Sequence, residues 1–178
     1  MFYSMSGKFC TPYCIARLTA SFTLVLGVVV LIGWYTHNTL LIQVSSLFVP
    51  MQFNTALCFI ISSIGILVTS LERRFIGMGL GATLVLIGIF TLIEYIFSLD
   101  LGIDQLLMQH YITVETSNPG RMAPNTALCF SLIGYALVLV SLSKKNWKHT
   151  MAVGIFGSLI LGFSIVALAG YRLSFEAA

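Results

Sequence analysis

The sequence predicts an all-α fold, a polytopic helical membrane bundle of five transmembrane helices arranged as parallel repeats, and three observations predict it. Hydrophobic residues make up 58% of the chain and charged residues 8%, where a soluble domain carries about 25% charged residues; the solvent for most of this chain is therefore lipid. Five stretches with at most one charge approach the roughly 20 apolar residues that cross a hydrocarbon core. Finally, Asn54-Thr55-Ala56-Leu57-Cys58-Phe59 returns letter for letter at Asn125-Thr126-Ala127-Leu128-Cys129-Phe130. The shift of 71 residues also carries Met51 onto Met122, Ser70 onto Ser141 and Leu71 onto Leu142. Self-similarity at a fixed spacing is the mark of a repeated architecture.

In chain order, residues 1–17 form a polar and aromatic tail and residues 18–178 the membrane domain. Leu18–Tyr35 is the first span; it has no small-residue cleavage pattern and more spans follow, so it reads as a retained helix and not a signal peptide. Asn54–Leu71 is the first repeat helix, and Phe75–Phe97 the third span, with Glu94 its one charge. Asn125–Leu142 is the second repeat helix and Met151–Tyr171 the fifth span. Lipid offers the backbone no hydrogen-bond partners, and no ten-residue alternation suggests a barrel, so the spans are helices.

The repeat units run 18–74, 75–149 and, in part, 150–178. Each is a helix ending in tyrosine, a long loop, a Met-x-x-Asn-Thr-Ala-Leu-Cys-Phe helix and a short basic turn. Tyr95-Ile-Phe-Ser98-Leu-Asp100 aligns with Tyr171-Arg-Leu-Ser174-Phe-Glu176. The last stretch is thus the first helix of a third unit, and the chain is expected to be a fragment lacking at least a sixth span. Units of the same topology are related by an axis along the membrane normal.

Lys8, Arg17, Arg73, Arg74, Lys144, Lys145 and Lys148 lie in the tail and short turns, leaving only Arg121 and Arg172 elsewhere. The positive-inside rule puts the N-terminus and short turns in the cytoplasm, and the loops 36–53 and 98–124 and the C-terminus outside. Gly102–Tyr111 places Ile103, Leu106, Leu107 and His110 at helical spacing and predicts a short interfacial helix; Leu40–Val49 does so less clearly. Ser117-Asn118-Pro119-Gly120 has the chemistry of a turn.

The candidate ligand-binding residues are Asn54, Glu94, Asp100, Asp104 and Asn125. Asn54 and Asn125 are expected as N-caps, which cap and pack their helices or else face each other across an outer pocket. There, free backbone N–H groups would attract an anionic or carbonyl-bearing ligand. Glu94 is the one acid in a span and a functional candidate on that ground, although near the helix end it could simply reach water. Tyr35, Tyr95 and Tyr171 read as interface anchors. Gly77, Gly81, Cys58 and Cys129 are small residues for close helix packing; Gly77 and Gly81 serve the bundle itself or a homodimer.

No cofactor and no metal ligand set is predicted. His37, His110, Asp100 and Asp104 lack ligand spacing, no span contains a histidine for haem, and Cys10 and Cys14 stand without a second pair. No nucleophile–base pair, phosphate loop or paired carboxylates is present, so the chain is not expected to be an enzyme. A net charge of +3 carries no nucleic-acid message. The bilayer is the first partner.

Asp100-Leu-Gly-Ile-Asp-Gln-Leu-Leu107, Pro119-Gly-Arg-Met-Ala-Pro-Asn-Thr-Ala-Leu-Cys-Phe130 and Phe53-Asn-Thr-Ala-Leu-Cys-Phe59 resemble the multi-spanning N-terminal membrane sensor region of bacterial sensor histidine kinases and diguanylate cyclases. The resemblance covers residues 15–178. It implies an inner-membrane sensory input module that passes an extracytoplasmic or membrane signal to a cytoplasmic kinase or cyclase domain outside this chain, as in a two-component system. The alternatives are a small parallel-repeat transporter-like protein and a non-sensory membrane anchor or assembly subunit. A transporter calls for ionisable or helix-breaking residues at mid-membrane, and the spans have neither.

Overall fold

The computed structural model describes residues 12–43, 49–112, 118–142 and 147–172. The described residues form α1 (Pro12–Thr36), a single turn α2 (Thr39–Ile42), α3 (Phe53–Ser70), α4 (Arg74–Phe97), α5 (Pro124–Leu142) and α6 (Trp147–Arg172), with no strand among them. All but α2 are long and apolar enough to cross a membrane. No more than 33% of any of these apolar stretches is buried, and large side chains such as Phe22, Phe75 and Ile165 stand exposed. Water would penalise that surface at roughly 25 cal/mol per Å², whereas hydrocarbon does not. The chain is a multi-pass helical membrane protein.

The two repeats are packed alike. Trp34, near the end of α1, donates its indole N–H to the Met51 carbonyl at 2.9 Å. Tyr95, near the end of α4, donates its hydroxyl to the Met122 carbonyl at 3.2 Å. Met51 and Met122 are the same repeat position. Further along, a Cβ on Gly27 would stand 2.9 Å from the Ala56 oxygen, and one on Gly88 would stand 2.6 Å from the Ala127 oxygen, Ala56 and Ala127 being again equivalent. Each first helix therefore presses a glycine onto the backbone of its repeat helix, the usual means of close approach where lipid supplies no hydrophobic driving force. The residue of the first unit that does the work of Tyr95 is thus Trp34. Tyr35, which the sequence alignment matched to it, points outward, 65% exposed.

Between α4 and α5 the seam is a stripe of small residues. Gly77, Gly81, Leu84, Gly88, Thr91 and Glu94 are the buried positions of α4. A Cβ on Gly134 would stand 2.6 Å from the Gly81 oxygen, and one on Gly77 would run into the Thr69 and Ser141 hydroxyls. Gly77 and Gly81 are thus used inside the bundle. Cys58 is buried and Cys129 partly so. The repeat helices α3 and α5 lie side by side in the same direction: Phe59 and Phe130, equivalent positions, meet edge to face at 5.2 Å. Gly65, beyond Phe59, sits against Leu137, beyond Phe130.

Several local expectations are corrected. Helix α1 begins before Leu18 and includes Arg17, whose guanidinium donates to the Ser70 hydroxyl at 2.9 Å and carbonyl at 2.8 Å; hydropathy stops at a charge, but a partnered charge does not stop a helix. Asn54 and Asn125 lie inside the first turns of α3 and α5 and are not their caps, since Ala56 N bonds to Gln52 O and Ala127 N to Ala123 O. No helix forms over Gly102–Tyr111. The carbonyls of Ile103 and Asp104, which an interfacial helix would use internally, accept from Asn54 instead. Among the described residues of Leu40–Val49, Leu40–Ile42 are helical, in α2, capped by the Asn38 side chain at Leu40 N. The expectations placed on Lys8, Cys10, Lys144, Lys145, Ser174, Glu176 and the Tyr171 side chain lie outside the described residues.

Candidate functional site

The chain makes its polar site by folding back over the end of α4. Ser98 takes a left-handed conformation (φ 51°), and its N–H and that of Leu99 close on the Glu94 carbonyl. Two residues later Leu101 N donates to the Glu94 side chain, Oε1, at 2.9 Å. The Asp100 carboxylate accepts from Gly102 N at 2.9 Å, and Gly102 has φ 71°, the conformation that glycine adopts without a Cβ clash. The predicted turn at 118–120 forms. Gly120, at φ 82°, lies so close to Asp104 that a Cβ would stand 3.0 Å from the Asp104 oxygen. That contact delivers the next residue, Arg121, into the centre of the site.

Arg121 Nε donates to Asp104 Oδ2 at 2.6 Å and lies 3.4 Å from Glu94 Oε2. Its Nη2 donates to the Leu99 carbonyl at 3.1 Å, and the guanidinium sits 5.4 Å from the centre of the Tyr95 ring. Burial disfavours the Arg121 cation, but the hydrogen bond and charge of Asp104, with Glu94 behind it, outweigh burial and hold its pKa above the ordinary arginine value. Glu94 is fully buried and Asp104 nearly so, while Asp100 is exposed. One carboxylate oxygen from each of the three lies within 4.8 Å of the others. Together with Ser98, Gln105, Asn118 and Pro119 they line a cleft of about 370 Å³.

The loop that roofs this cleft also rests on the first repeat. Asn54 Nδ2 donates to the Ile103 and Asp104 carbonyls, both at 3.2 Å. Tyr111 donates its hydroxyl to the Trp34 carbonyl at 3.2 Å, packs edge-on against the Trp34 ring and stacks on His37 at 4.3 Å. Burial raises the Tyr111 phenol pKa. One loop thus bonds to the ends of both units.

Of the five residues that the sequence nominated, Glu94, Asp100 and Asp104 come together and Asn54 holds the Asp104 backbone from behind. Asn125 stands apart, its Oδ1 accepting from the neighbouring Thr126 N–H at 2.9 Å. The two repeat asparagines do not face each other across the cleft. It is walled by carboxylates and not by helix N-termini, so it is not the anion pocket that stood as the alternative to capping and packing. Glu94, fully buried, does not reach water as an interfacial glutamate would. His37 and His110 sit with Tyr111 and Trp34, away from the three acids. Sequence reasoning passed over Arg121, although a signal was there: it is the one lysine or arginine between Arg74 and Lys144.

Fold and site define a multi-pass helical membrane protein with a loop-roofed acidic cleft at one end of two like-packed repeats. Compared with family models, curated proteins and solved structures, the chain matches none of them.

Proposed function

We propose that this chain is the sensory input module of a bacterial inner-membrane signalling protein, with the acidic cleft on the extracytoplasmic side and the basic turns in the cytoplasm. One observation carries this reading: the Glu94–Arg121–Asp104 network, at the end of a span, is tied by a single loop to both repeats. Buried charge in a membrane protein is costly and is retained where it works. A signal that loosens Arg121 from its acids frees the loop from Leu99 and shifts its grip on Asn54 and Trp34. The relative packing of the two units then changes. The parallel helices α3 and α5 carry that change to the opposite face, where a kinase or cyclase domain reads it. Such a switch works only if the signal binds the two packings with different affinity.

The test is replacement in cells. Residues 18–172 are exchanged for an unrelated five-span anchor in the gene as it occurs, and stimulus-dependent phosphotransfer or cyclic dinucleotide synthesis is measured. Loss of the response with normal membrane insertion supports sensing; an unchanged response means anchor. A reporter fused at Lys145 checks the orientation, and periplasmic activity there refutes it.

A further inference from the structure

Two oxygens of the cleft lack a hydrogen-bond donor: Glu94 Oε2, in a fully buried residue, and Asp104 Oδ1, in a residue 7% exposed. The nearest cation to Glu94 Oε2 is Arg121 Nε at 3.4 Å, while the short bond of Arg121 goes to the other oxygen of Asp104. Buried anionic oxygens are expensive unless paired and hydrogen-bonded. One guanidinium cannot satisfy three carboxylates; when all are ionised the cluster carries two net negative charges. Calcium takes oxygen ligands at about 2.3–2.6 Å, so ligands on opposite sides of one ion stand about 4.6–5.2 Å apart. The three carboxylate oxygens, all within 4.8 Å of one another, reach a common ion of that size.

We propose that the cleft is a binding site for a divalent cation of the calcium type, held by Glu94 and Asp104 at its floor and by Asp100 at its mouth, with Arg121 as a built-in competitor. Without the ion the guanidinium lies among the acids. When the ion binds, its charge displaces Arg121 from Glu94 and Asp104, and the ties of Arg121 to the Leu99 carbonyl and the Tyr95 ring are released. Hard oxygen donors with no histidine or thiolate in the cluster select calcium over zinc or copper. The binding site stands on the geometry alone; its role as a signal rests on the sensory reading above.

The experiment uses the full chain in nanodiscs of zwitterionic phosphatidylcholine, with terbium as the probe and calcium as the competitor. Tyr95 lines the cleft and sensitises a terbium ion bound there. Saturable emission is expected, reversed by calcium with a dissociation constant of about 10⁻⁴–10⁻³ M, the range of extracellular modules. Glu94→Gln and Asp104→Asn weaken binding by on the order of tenfold or more, since ligand charge sets affinity. Asp100→Asn, at an exposed position where the fold does not depend on its charge, weakens it severalfold and decides the matter if the buried variants fail to fold. Arg121→Gln tightens binding, and calcium raises its melting temperature more than that of the parent chain.

Emission indifferent to all three carboxylate changes overturns the site. Loss of binding in an Arg121→Gln protein that still melts cooperatively overturns the competitor role. Calcium binding without any calcium-dependent output overturns calcium's role as the signal and leaves the site standing, while the anchor exchange decides the sensory reading by itself. A calcium-dependent output from a chain that binds no calcium overturns the site.

Discussion

Removing the Arg121 side chain is the sharpest perturbation of this protein. Arg121→Ala deletes the 2.6 Å bond to Asp104, the 3.4 Å ion pair with Glu94 and the 3.1 Å bond to the Leu99 carbonyl. It leaves a fully buried and a nearly buried carboxylate facing each other. Breaking a buried ion pair by removing one partner costs about 3–5 kcal/mol. Because the cleft is open to water on one side, the low end applies, about 3 kcal/mol, and the lost Leu99 tie adds about 1 kcal/mol. Reversible unfolding in mixed micelles, in the presence of a calcium chelator, measures the cost. Trp34, fully buried beneath Tyr111, serves as the fluorescent reporter. Adding Glu94→Gln to Arg121→Ala restores roughly half of the loss, because one of the two unpaired anions is gone; the two changes are therefore not additive, as expected for groups in one network. A cost below about 1 kcal/mol, or strict additivity, refutes the picture of a buried network centred on Arg121.

Gly134→Ala places a Cβ 2.6 Å from the Gly81 backbone oxygen, whereas at Gly79 a Cβ meets nothing within 4 Å. The first change costs about 1–3 kcal/mol by overpacking and the second is neutral or stabilising; equal melting temperatures for the pair contradict the α4–α5 seam. Asn54→Ala loses two bonds to the loop and about 1–2 kcal/mol, while Asn125→Ala, whose bond is to its own neighbour, changes stability by less than about 0.5 kcal/mol. Limited proteolysis of the loop, faster in Asn54→Ala alone, checks that contrast. Tyr111 has a raised pKa in the folded protein, so the native state holds its phenolic proton more tightly than the unfolded chain does. Stability accordingly falls as pH rises from the ordinary tyrosine value of about 10 through the folded pKa. Tyr111→Phe removes that part of the alkaline loss, and an unaltered pH profile in the variant contradicts the assignment.

The five spans, their helical character and the two-unit plan follow from the one-dimensional pattern. Hydropathy is a local sum along the chain, and a lipid solvent leaves the backbone no choice but the helix. The turn at Asn118-Pro119-Gly120 was legible for the same reason, since its φ preferences belong to single residues. What the pattern could not determine is which partner each polar group meets. Asn54 and Asn125 open the same six-residue stretch, yet one grips a loop 49 and 50 residues away and the other bonds to its own neighbour. Glu94 looked like a glutamate at an interface until the chain folded back over it. Arg121 became the centre of the site only through Gly120 pressing on Asp104. The loop path joins positions far apart in the chain, and neither periodicity nor spacing encodes that path. The repeat and its lipid solvent were written in the sequence, whereas the pairing of charges at one end of the bundle was decided by tertiary contacts.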